Sequence, residues 1–192
     1  TLTAAVNAYN NACSLTAPVL FELISGSYLS ESFPITILNH PDAGPARTLT
    51  IRPSATGIGA FAALNDNQLI DLNGARYVTF DGRQGGVGTT GVSSFINTST
   101  LGVAFRFIND AQHNTIKYCD IRSQHKSVTG GTIFFSTTNV SGGSGNDHNT
   151  IDNNQIKDPS FGQEPANAIF SLGTASAGND SIIITNNKIF NY

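Results

Sequence analysis

Apolar residues follow two different periods along this chain. Near the N-terminus, four of them lie at the i, i+3, i+4, i+7 spacing of one helix face: Leu2, Ala5, Val6 and Tyr9. After residue 13 the pattern changes to short β-rich runs bounded by Gly, Pro, Asn and Ser. The pattern therefore predicts a short helix within residues 1–13, with Thr1 or Thr3 as its N-cap, and strands in the remainder.

The β-rich runs fall into two groups. Those before residue 69 show no clear repeat and occupy residues 19–24, 35–38 and 48–51. From residue 69 onward, a unit of strand, Asn-containing turn, strand and turn returns four times. Its paired runs are residues 69–72 with 77–80, 103–108 with 115–121, 132–135 with 150–156, and 168–172 with 182–189.

The second runs of these units align on four apolar residues: Val78, Ile116, Ile151 and Ile184. Their separations, 116 − 78 = 38, 151 − 116 = 35 and 184 − 151 = 33, are too irregular for a fixed repeat but suit coils with variable loops. Equivalent positions also hold like residues, because 151–156 reads Ile-Asp-Asn-Asn-Gln-Ile and 184–189 reads Ile-Thr-Asn-Asn-Lys-Ile. This repetition favours a parallel coil over the alternative, a β-sandwich, which does not require it.

The predicted fold is all-β, a right-handed parallel β-helix with the N-terminal helix covering one end. We expect a single domain over residues 1–192, with the cap helix in 1–13, first coils in 14–68 and repeated coils in 69–192. The strand pattern reaches Tyr192 without a terminating cap, so further coils are expected beyond it.

A parallel stack places each residue over its counterpart in the neighbouring coil. Asn154 is therefore expected to lie over Asn187, and Asn153 over Asn186, so that their amides form ladders of hydrogen bonds. Each such hydrogen bond would contribute about 1 kcal/mol net to stability. We predict a structural role for these four residues.

Composition narrows the range of partners. Charged residues make up 12% of the chain, the formal net charge is −3, and Lys and Arg are scattered. We expect no nucleic-acid partner, because no basic stripe is available to neutralise a phosphate backbone. No apolar run approaches the roughly 18 residues of a membrane span, so no membrane insertion is expected. Cys13 and Cys119 are expected about three coils apart, beyond the reach of a disulfide.

An Asn-Asp pair recurs before the second strand of three successive units, at residues 109–110, 146–147 and 179–180. If these corners align, Asp110, Asp147 and Asp180 stack at the spacing of neighbouring coils. Their repulsion would then be relieved by a bound cation, for which oxygen ligands favour Ca²⁺. The alternative is that these residues form Asx turns that point into water.

His113 and His148 lie in matching contexts, Gln-His-Asn-Thr-Ile and Asp-His-Asn-Thr-Ile. We expect them to stack one coil apart. No third ligand follows at a diagnostic metal spacing, which favours solvated turn residues over a metal site.

Three short signatures resemble those of a known family. They are Leu69-Ile70-Asp71-Leu72-Asn73-Gly74, Phe105-Arg106-Phe107-Ile108-Asn109 and Ile184-Thr185-Asn186-Asn187-Lys188-Ile189. With them, nearly the whole chain resembles the secreted bacterial right-handed β-helix proteins of the pectin-lyase-like superfamily, especially the large modular exported ones. The resemblance implies a secreted or cell-surface location and a place in a larger multidomain chain. It implies no single chemistry, because the superfamily contains lyases, hydrolases and adhesins.

The catalytic motifs that this resemblance would bring, Asn-Thr-Asp, Asp-Asp and His-Gly, do not occur in the chain. No general acid and base can be assembled from the sequence, so no catalytic residue is predicted. We expect a non-catalytic extracellular module for adhesion or polysaccharide binding, assisted by Ca²⁺ if the aspartates align. The alternatives are a fragment of a polysaccharide lyase or glycoside hydrolase, and a structural stalk.

Overall fold

The computed structural model describes residues 1–192 and is a parallel β-solenoid of about five coils. Its short strands form three parallel sheets, and its single α-helix lies at the N-terminus. The predicted all-β parallel coil with an N-terminal helix is therefore confirmed. The helix is too short and too polar to cross a membrane, and no other helix of the structure could do so.

After the first coil, successive strands pass from sheet A to sheet B to sheet C and then begin the next coil, whereas the first coil passes directly from sheet A to sheet C. Sheet A contains β1 (Val19–Leu23), β3 (Leu49–Pro53), β6 (Val78–Asp81), β9 (Thr115–Lys117), β12 (Thr150–Asp152) and β15 (Ile183–Thr185). Sheet B contains β4 (Ala60–Ala63), β7 (Ser94–Asn97), β10 (Asp120–Ser123), β13 (Gln155–Lys157) and β16 (Lys188–Ile189). Sheet C contains β2 (Ile35–Leu38), β5 (Ile70–Asn73), β8 (Phe105–Ile108), β11 (Ile133–Phe135) and β14 (Ile169–Ser171). One 3₁₀ turn, Gln84–Gly86, follows β6.

Each strand pairs with its counterpart one coil away, and the length of a coil varies. Ser94 and its partner Asp120 are separated by the shortest coil, 120 − 94 = 26 residues. Thr79 and its partner Thr115 are separated by one of the longest, 115 − 79 = 36 residues. Side chains in a strand alternate between the two faces of the sheet, so one face of every strand points into the coil. The interior is filled mainly by Phe, Ile and Leu, and its largest fully buried side chains include Phe61, Phe80, Phe95, Phe105, Phe107 and Phe135.

The register corrects the sequence alignment at one position. Ile116, Ile151 and Ile184 lie in one row, as the pattern indicates. The residue of β6 in that row is Phe80, however, and not Val78. Both side chains are buried and point inward, because they are two residues apart in a strand. The hydrophobic pattern alone could not show which of the two residues lies in the row of Ile116.

The structure also corrects the strand boundaries. The runs 115–121, 150–156 and 182–189 are each two strands, one in sheet A and one in sheet B. They are separated by a corner residue with positive φ, at Tyr118 (55°), Asn153 (55°) and Asn186 (54°). The pattern missed β4 and β7 altogether, because each carries a single large apolar side chain on its inward face, Phe61 and Phe95.

The helix α1 (Leu2–Asn10) packs on the first coil through Leu2, Val6 and Tyr9, all of which are buried. The Thr1 side chain accepts a hydrogen bond from the Ala4 amide at 3.1 Å, which makes it the N-cap. At the other end of the stack, Ile184 occupies an inward position but is 48% exposed. The two ends of the solenoid therefore differ in how well the core is covered.

Charges alternate along the outer face of sheet A. Glu22 lies beside Arg52 in the register, and Lys117 lies between Asp81 and Asp152. The ion pairs Arg52–Glu22 and Lys117–Asp81 have N–O distances of 3.3 and 3.5 Å. Neighbouring coils are about 4.8 Å apart. Alternation therefore avoids placing like charges side by side.

Candidate functional site

Sheet A is bounded by two corners that are built from residues with positive φ. The corner between sheets C and A contains Tyr77, His113, His148 and Ser181, whose φ values lie between 55° and 57°. The corner between sheets A and B contains Tyr118, Asn153 and Asn186. Gly adopts this conformation readily, and Asn, Asp and His do so more often than other residues, so the two Tyr residues in particular are held there by their surroundings. Both corners are sharp, and the side chains beside them stand close together.

The second corner carries an asparagine ladder. The Asn154 side-chain amide donates to Asn187 Oδ1 (3.0 Å) and to the Ile116 carbonyl (2.9 Å). Asn154 Oδ1 in turn accepts from the Cys119 backbone N–H at 2.9 Å. Asn154 is 1% exposed, so these hydrogen bonds join three coils inside the protein.

The corner residues themselves behave differently. The side-chain amides of Asn153 and Asn186 both donate to the Asp152 carboxylate, at 2.7 and 2.9 Å. They converge on one acceptor and make no hydrogen bond to each other. The ladder is therefore formed by Asn154 and Asn187, while Asn153 and Asn186 fix the outside of the corner.

Two further asparagine ladders escaped the sequence analysis. Asn114 donates to Asn149 Oδ1 at 3.0 Å, and Asn146 donates to Asn179 Oδ1 at 2.9 Å. The repeated His-Asn-Thr-Ile at 113–116 and 148–151 was the signal for the first of them. Both ladders lie at the corner that leads into sheet A.

The two cysteines are free and lie in different surroundings. Cys13 is exposed just after α1, whereas Cys119 is buried in the same row as Asn154. Burial, and then the nearby Asp81 charge, raise the pKa of the Cys119 thiol far above its ordinary value. The thiol is therefore protonated at neutral pH and unreactive.

The structure does not place the three predicted calcium ligands in one row. In the following coil, Asn146 aligns with Asn179 and Asp147 aligns with Asp180. In the preceding coil, the counterpart of Asp147 is Gln112, because the His113 amide donates to the Asp147 carbonyl at 3.2 Å. Asp110 is two residues out of this register. No group of three or more His, Cys, Asp or Glu side chains is arranged to hold a metal ion.

Asp110 instead holds the loop that follows β11. Its Oδ1 accepts from the backbone amides of Ser144 (2.8 Å) and Gly145 (3.1 Å), and its Oδ2 accepts from Arg76. Burial opposes ionisation, but these hydrogen bonds and the Arg76 charge outweigh it and lower the pKa of Asp110. The Ser144 hydroxyl also donates to Asp147 at 2.8 Å, so the two carboxylates are linked through this loop.

The two histidines stack as the sequence indicated. The rings of His113 and His148 are 4.8 Å apart and nearly parallel (4°), and Tyr77 stacks on the other face of His113 at 4.8 Å. Parallel rings hold their nitrogens side by side and do not direct them at one ion. Burial, followed by the His148 and Arg76 charges, lowers the pKa of His113, and Asp147 opposes this effect.

Acidification is expected to destabilise the fold through His113. Its folded pKa is lowered, so below the ordinary value of about 6.5 the unfolded state binds more protons and stability falls as pH falls. Melting temperatures measured between pH 7.5 and pH 5 should decline more in the wild type than in His113→Asn, since Asn tolerates the positive φ. His125 contributes equally to both proteins. Identical pH profiles for the two proteins would contradict the assignment.

A groove runs along the corner between sheets A and B, and we call it the axial groove. It has a volume of about 370 Å³, and most of its lining is polar. One wall is the loop segment Thr89–Gly91, which follows the 3₁₀ turn. The floor comes from three successive coils, through Tyr118, Cys119, Asp120, Asn153, Asn154, Gln155, Asn186 and Lys188.

Several polar groups of the axial groove have no partner within the protein. The Gln155 amide and the Lys188 ammonium take part in no side-chain hydrogen bond or ion pair, although both residues lie in paired strands. The Tyr118 hydroxyl also makes no hydrogen bond, while its ring lies beneath the Arg83 guanidinium at 4.3 Å. The Asp120 carboxylate, by contrast, is held by Arg122, whose Nε lies 3.0 and 3.1 Å from its two oxygens. The groove therefore presents unpaired donors and acceptors on a fixed floor.

Comparison of the chain with protein families, with curated proteins and with solved structures finds no match. The parallel solenoid is the architecture of the family that the three sequence signatures resemble, and membership of that family is not shown. Function is therefore inferred from the chemistry of the grooves themselves.

Proposed function

We propose that this protein is a non-catalytic extracellular module that binds an extended polysaccharide along the axial groove. The observation that carries the proposal is the set of unpaired polar side chains, Tyr118, Gln155 and Lys188, which lie on three successive coils. Three coils span two intervals of about 4.8 Å. A chain of sugar units that lies along the solenoid axis would meet hydrogen-bond donors and acceptors on each coil that it crosses.

The balance of charges supports a neutral or acidic chain as the ligand. Asp120 is paired with Arg122, and Lys157 lies 3.9 Å from the same carboxylate. Lys188 has no carboxylate within salt-bridge distance, so it is the unpaired charge of the groove. Each contact to a neutral hydroxyl is worth only about 1 kcal/mol, so strong attachment would come from several copies or modules acting together.

The arrangement of acidic groups favours binding over cleavage. Hydrolysis of a glycosidic bond ordinarily uses two carboxyl groups that flank the bond, one as acid and one as base or nucleophile. Asp120 is the single carboxylate that lines the axial groove, and Arg122 occupies both of its oxygens. A lyase or hydrolase fragment is the second candidate, and a structural stalk is the third.

Depletion by insoluble polysaccharides tests the proposal. The purified protein is mixed with cellulose, chitin or pectin gel, with and without Ca²⁺ or a chelator, and the same tubes are assayed for released sugar ends. Retention without release supports a binding module, while release of unsaturated or reducing ends supports the enzyme fragment. Neither retention nor release supports the stalk. Loss of retention on chelation alone would support a role for Ca²⁺ at Asp110, Asp147 or Asp180.

Gln155→Ala is expected to weaken retention about 3- to 10-fold, because it removes one unpaired amide from the middle of the axial groove. Lys188→Ala should weaken binding to an acidic gel more than to a neutral one. Dissociation constants from depletion isotherms give both comparisons. Gln163→Ala is the matched control, since Gln163 lies outside the groove and bonds to Ser160. Equal losses for Gln155→Ala and Gln163→Ala would argue against the groove.

A further inference from the structure

Exposed apolar side chains are concentrated at the corner between sheets B and C. Four successive loops cross this corner, and each of them carries one large apolar side chain that is more than 60% exposed. From the first loop to the fourth they are Leu64 (78%), Leu101 (63%), Val128 (76%) and Phe161 (97%), and we call them the apolar row. Single exposed apolar residues are common on protein surfaces, but four on successive coils along one corner mark an interaction surface.

The four loops lie against one another, so the apolar row is continuous along the solenoid axis. Backbone hydrogen bonds of 2.8–2.9 Å join each loop to the next: the Thr98 amide donates to the Ala63 carbonyl, the Lys126 amide to the Thr100 carbonyl, and the Ala166 amide to the His125 carbonyl. Neighbouring coils are about 4.8 Å apart, so the row extends over about 14 Å. The fold itself therefore fixes the spacing of the row.

Few charged side chains accompany the apolar row. The first loop carries Asp66, the third Lys126 and the fourth Glu164, while the second has no Asp, Glu, Lys or Arg. Asp158, also in the fourth loop, is buried. One cation against two accessible carboxylates does not suit an anionic lipid surface, which recruits clusters of Lys and Arg. The row therefore fits a protein partner better than a membrane.

The apolar row is complementary to a second copy of itself. A two-fold axis perpendicular to the solenoid axis reverses the order of the coils, and because the coils are evenly spaced, the loops of the two copies stay in step. With the axis at the second loop, Leu101 meets Leu101 of the second copy, and Leu64 meets Val128 of the second copy. Phe161 then meets the first coil of the second copy, where Leu29 is 65% exposed.

Charge distinguishes this axis from the neighbouring ones. At the second loop, the axis places Asp66 of each copy opposite Lys126 of the other, which gives two ion pairs. Half a coil further along, it would place Asp66 opposite Glu164, and a whole coil further along, it would place the two Lys126 ammonium groups together. Like charges so placed repel. A shift in the other direction would leave Phe161 with no coil opposite it.

We propose that the apolar row is the interface of an antiparallel homodimer whose two-fold axis lies at the Leu101 loop. Four apolar side chains of these types bury on the order of 400 Å² on each copy. This is a small interface, below about 1,200 Å² in total, so we expect a weak complex with a dissociation constant of about 10 µM to 1 mM. The axial groove lies at another corner, so the proposal does not depend on polysaccharide binding.

Sedimentation velocity at protein concentrations from about 10 µM to 1 mM tests the proposal. We expect the sedimentation coefficient to rise toward that of a dimer as the concentration increases. Leu101→Asp should weaken association at least about tenfold, because it brings two carboxylates together at the axis. Val87→Asp is the matched control and should have no effect, because Val87 is 74% exposed at the corner between sheets A and B.

Reversal of both charges tests the relative direction of the two copies. Asp66→Lys and Lys126→Asp should each weaken association, because each creates like-charge pairs across the interface, and the double variant should associate as tightly as the wild type. Thermal unfolding of each variant checks that it folds. A monomer at about 1 mM, equal losses for Leu101→Asp and Val87→Asp, or a double variant no tighter than the single ones would overturn the proposal.

Discussion

Ile151→Ala is expected to lower the free energy of unfolding by about 3–4 kcal/mol. Ile151 is fully buried, and it lies between Ile116 and Ile184 in the inward row of sheet A. Removal of its side chain leaves a cavity between packed coils that the strands cannot close without losing their register. Urea unfolding followed by far-ultraviolet circular dichroism measures the loss.

Ile184→Ala is the matched control, because it makes the same chemical change in the same row. Ile184 is 48% exposed, so its removal should cost less than half as much as removal of Ile151. Similar losses at the two positions would mean that the last coil is covered in solution. A small loss at Ile151 would contradict the parallel stack itself.

Asn154→Ala is expected to cost about 3 kcal/mol. The Cys119 N–H and the Ile116 carbonyl each lose a side-chain partner at a buried corner, and each unsatisfied buried group costs about 1–3 kcal/mol. Asn187 Oδ1 also loses the Asn154 side-chain donor but keeps the Asn154 backbone N–H at 2.9 Å. The midpoint of urea unfolding should fall with little change in the dependence on urea concentration.

Asn139→Ala serves as the comparison for the ladder. Asn139 is exposed, and its side chain makes one long contact, 3.5 Å, with the Thr137 hydroxyl. Its substitution should change stability by less than about 0.5 kcal/mol. If Asn154→Ala were equally mild, the corner would be held by strand pairing alone and the ladder would have no energetic role.

The parallel coil could be predicted because it repeats. Like residues return at like positions from residue 69 onward, and Ile116, Ile151 and Ile184 fall in the predicted row. The corners could not be predicted, because a positive φ at Tyr77 or Tyr118 is imposed by neighbouring coils and is not encoded in the residue type. β4 and β7 were missed because a single inward Phe gives no alternation to detect.

Candidate sites were harder to predict than the fold, because their members are brought together by loops. The Asn-Asp pairs recur in the sequence, but Asp110 lies five residues before Thr115 whereas Asp147 lies three residues before Thr150, and Thr115 and Thr150 are paired, so Asp110 is two residues out of the row of Asp147. The wall of the axial groove comes from Thr89–Gly91, far along the chain from Lys188. Asp66, His125 and Phe134 line one cleft only because three coils share one corner.

The variable length of the coils has a consequence for how this chain folds. Paired strands lie 26 to 36 residues apart along the chain. Structures built from such non-local pairs fold more slowly than structures rich in local contacts. Loop-closure entropy grows only with the logarithm of loop length, so a coil of 36 residues costs little more to close than one of 26. Each coil can therefore add to the one before it at nearly the same entropic cost, whatever the length of its loops.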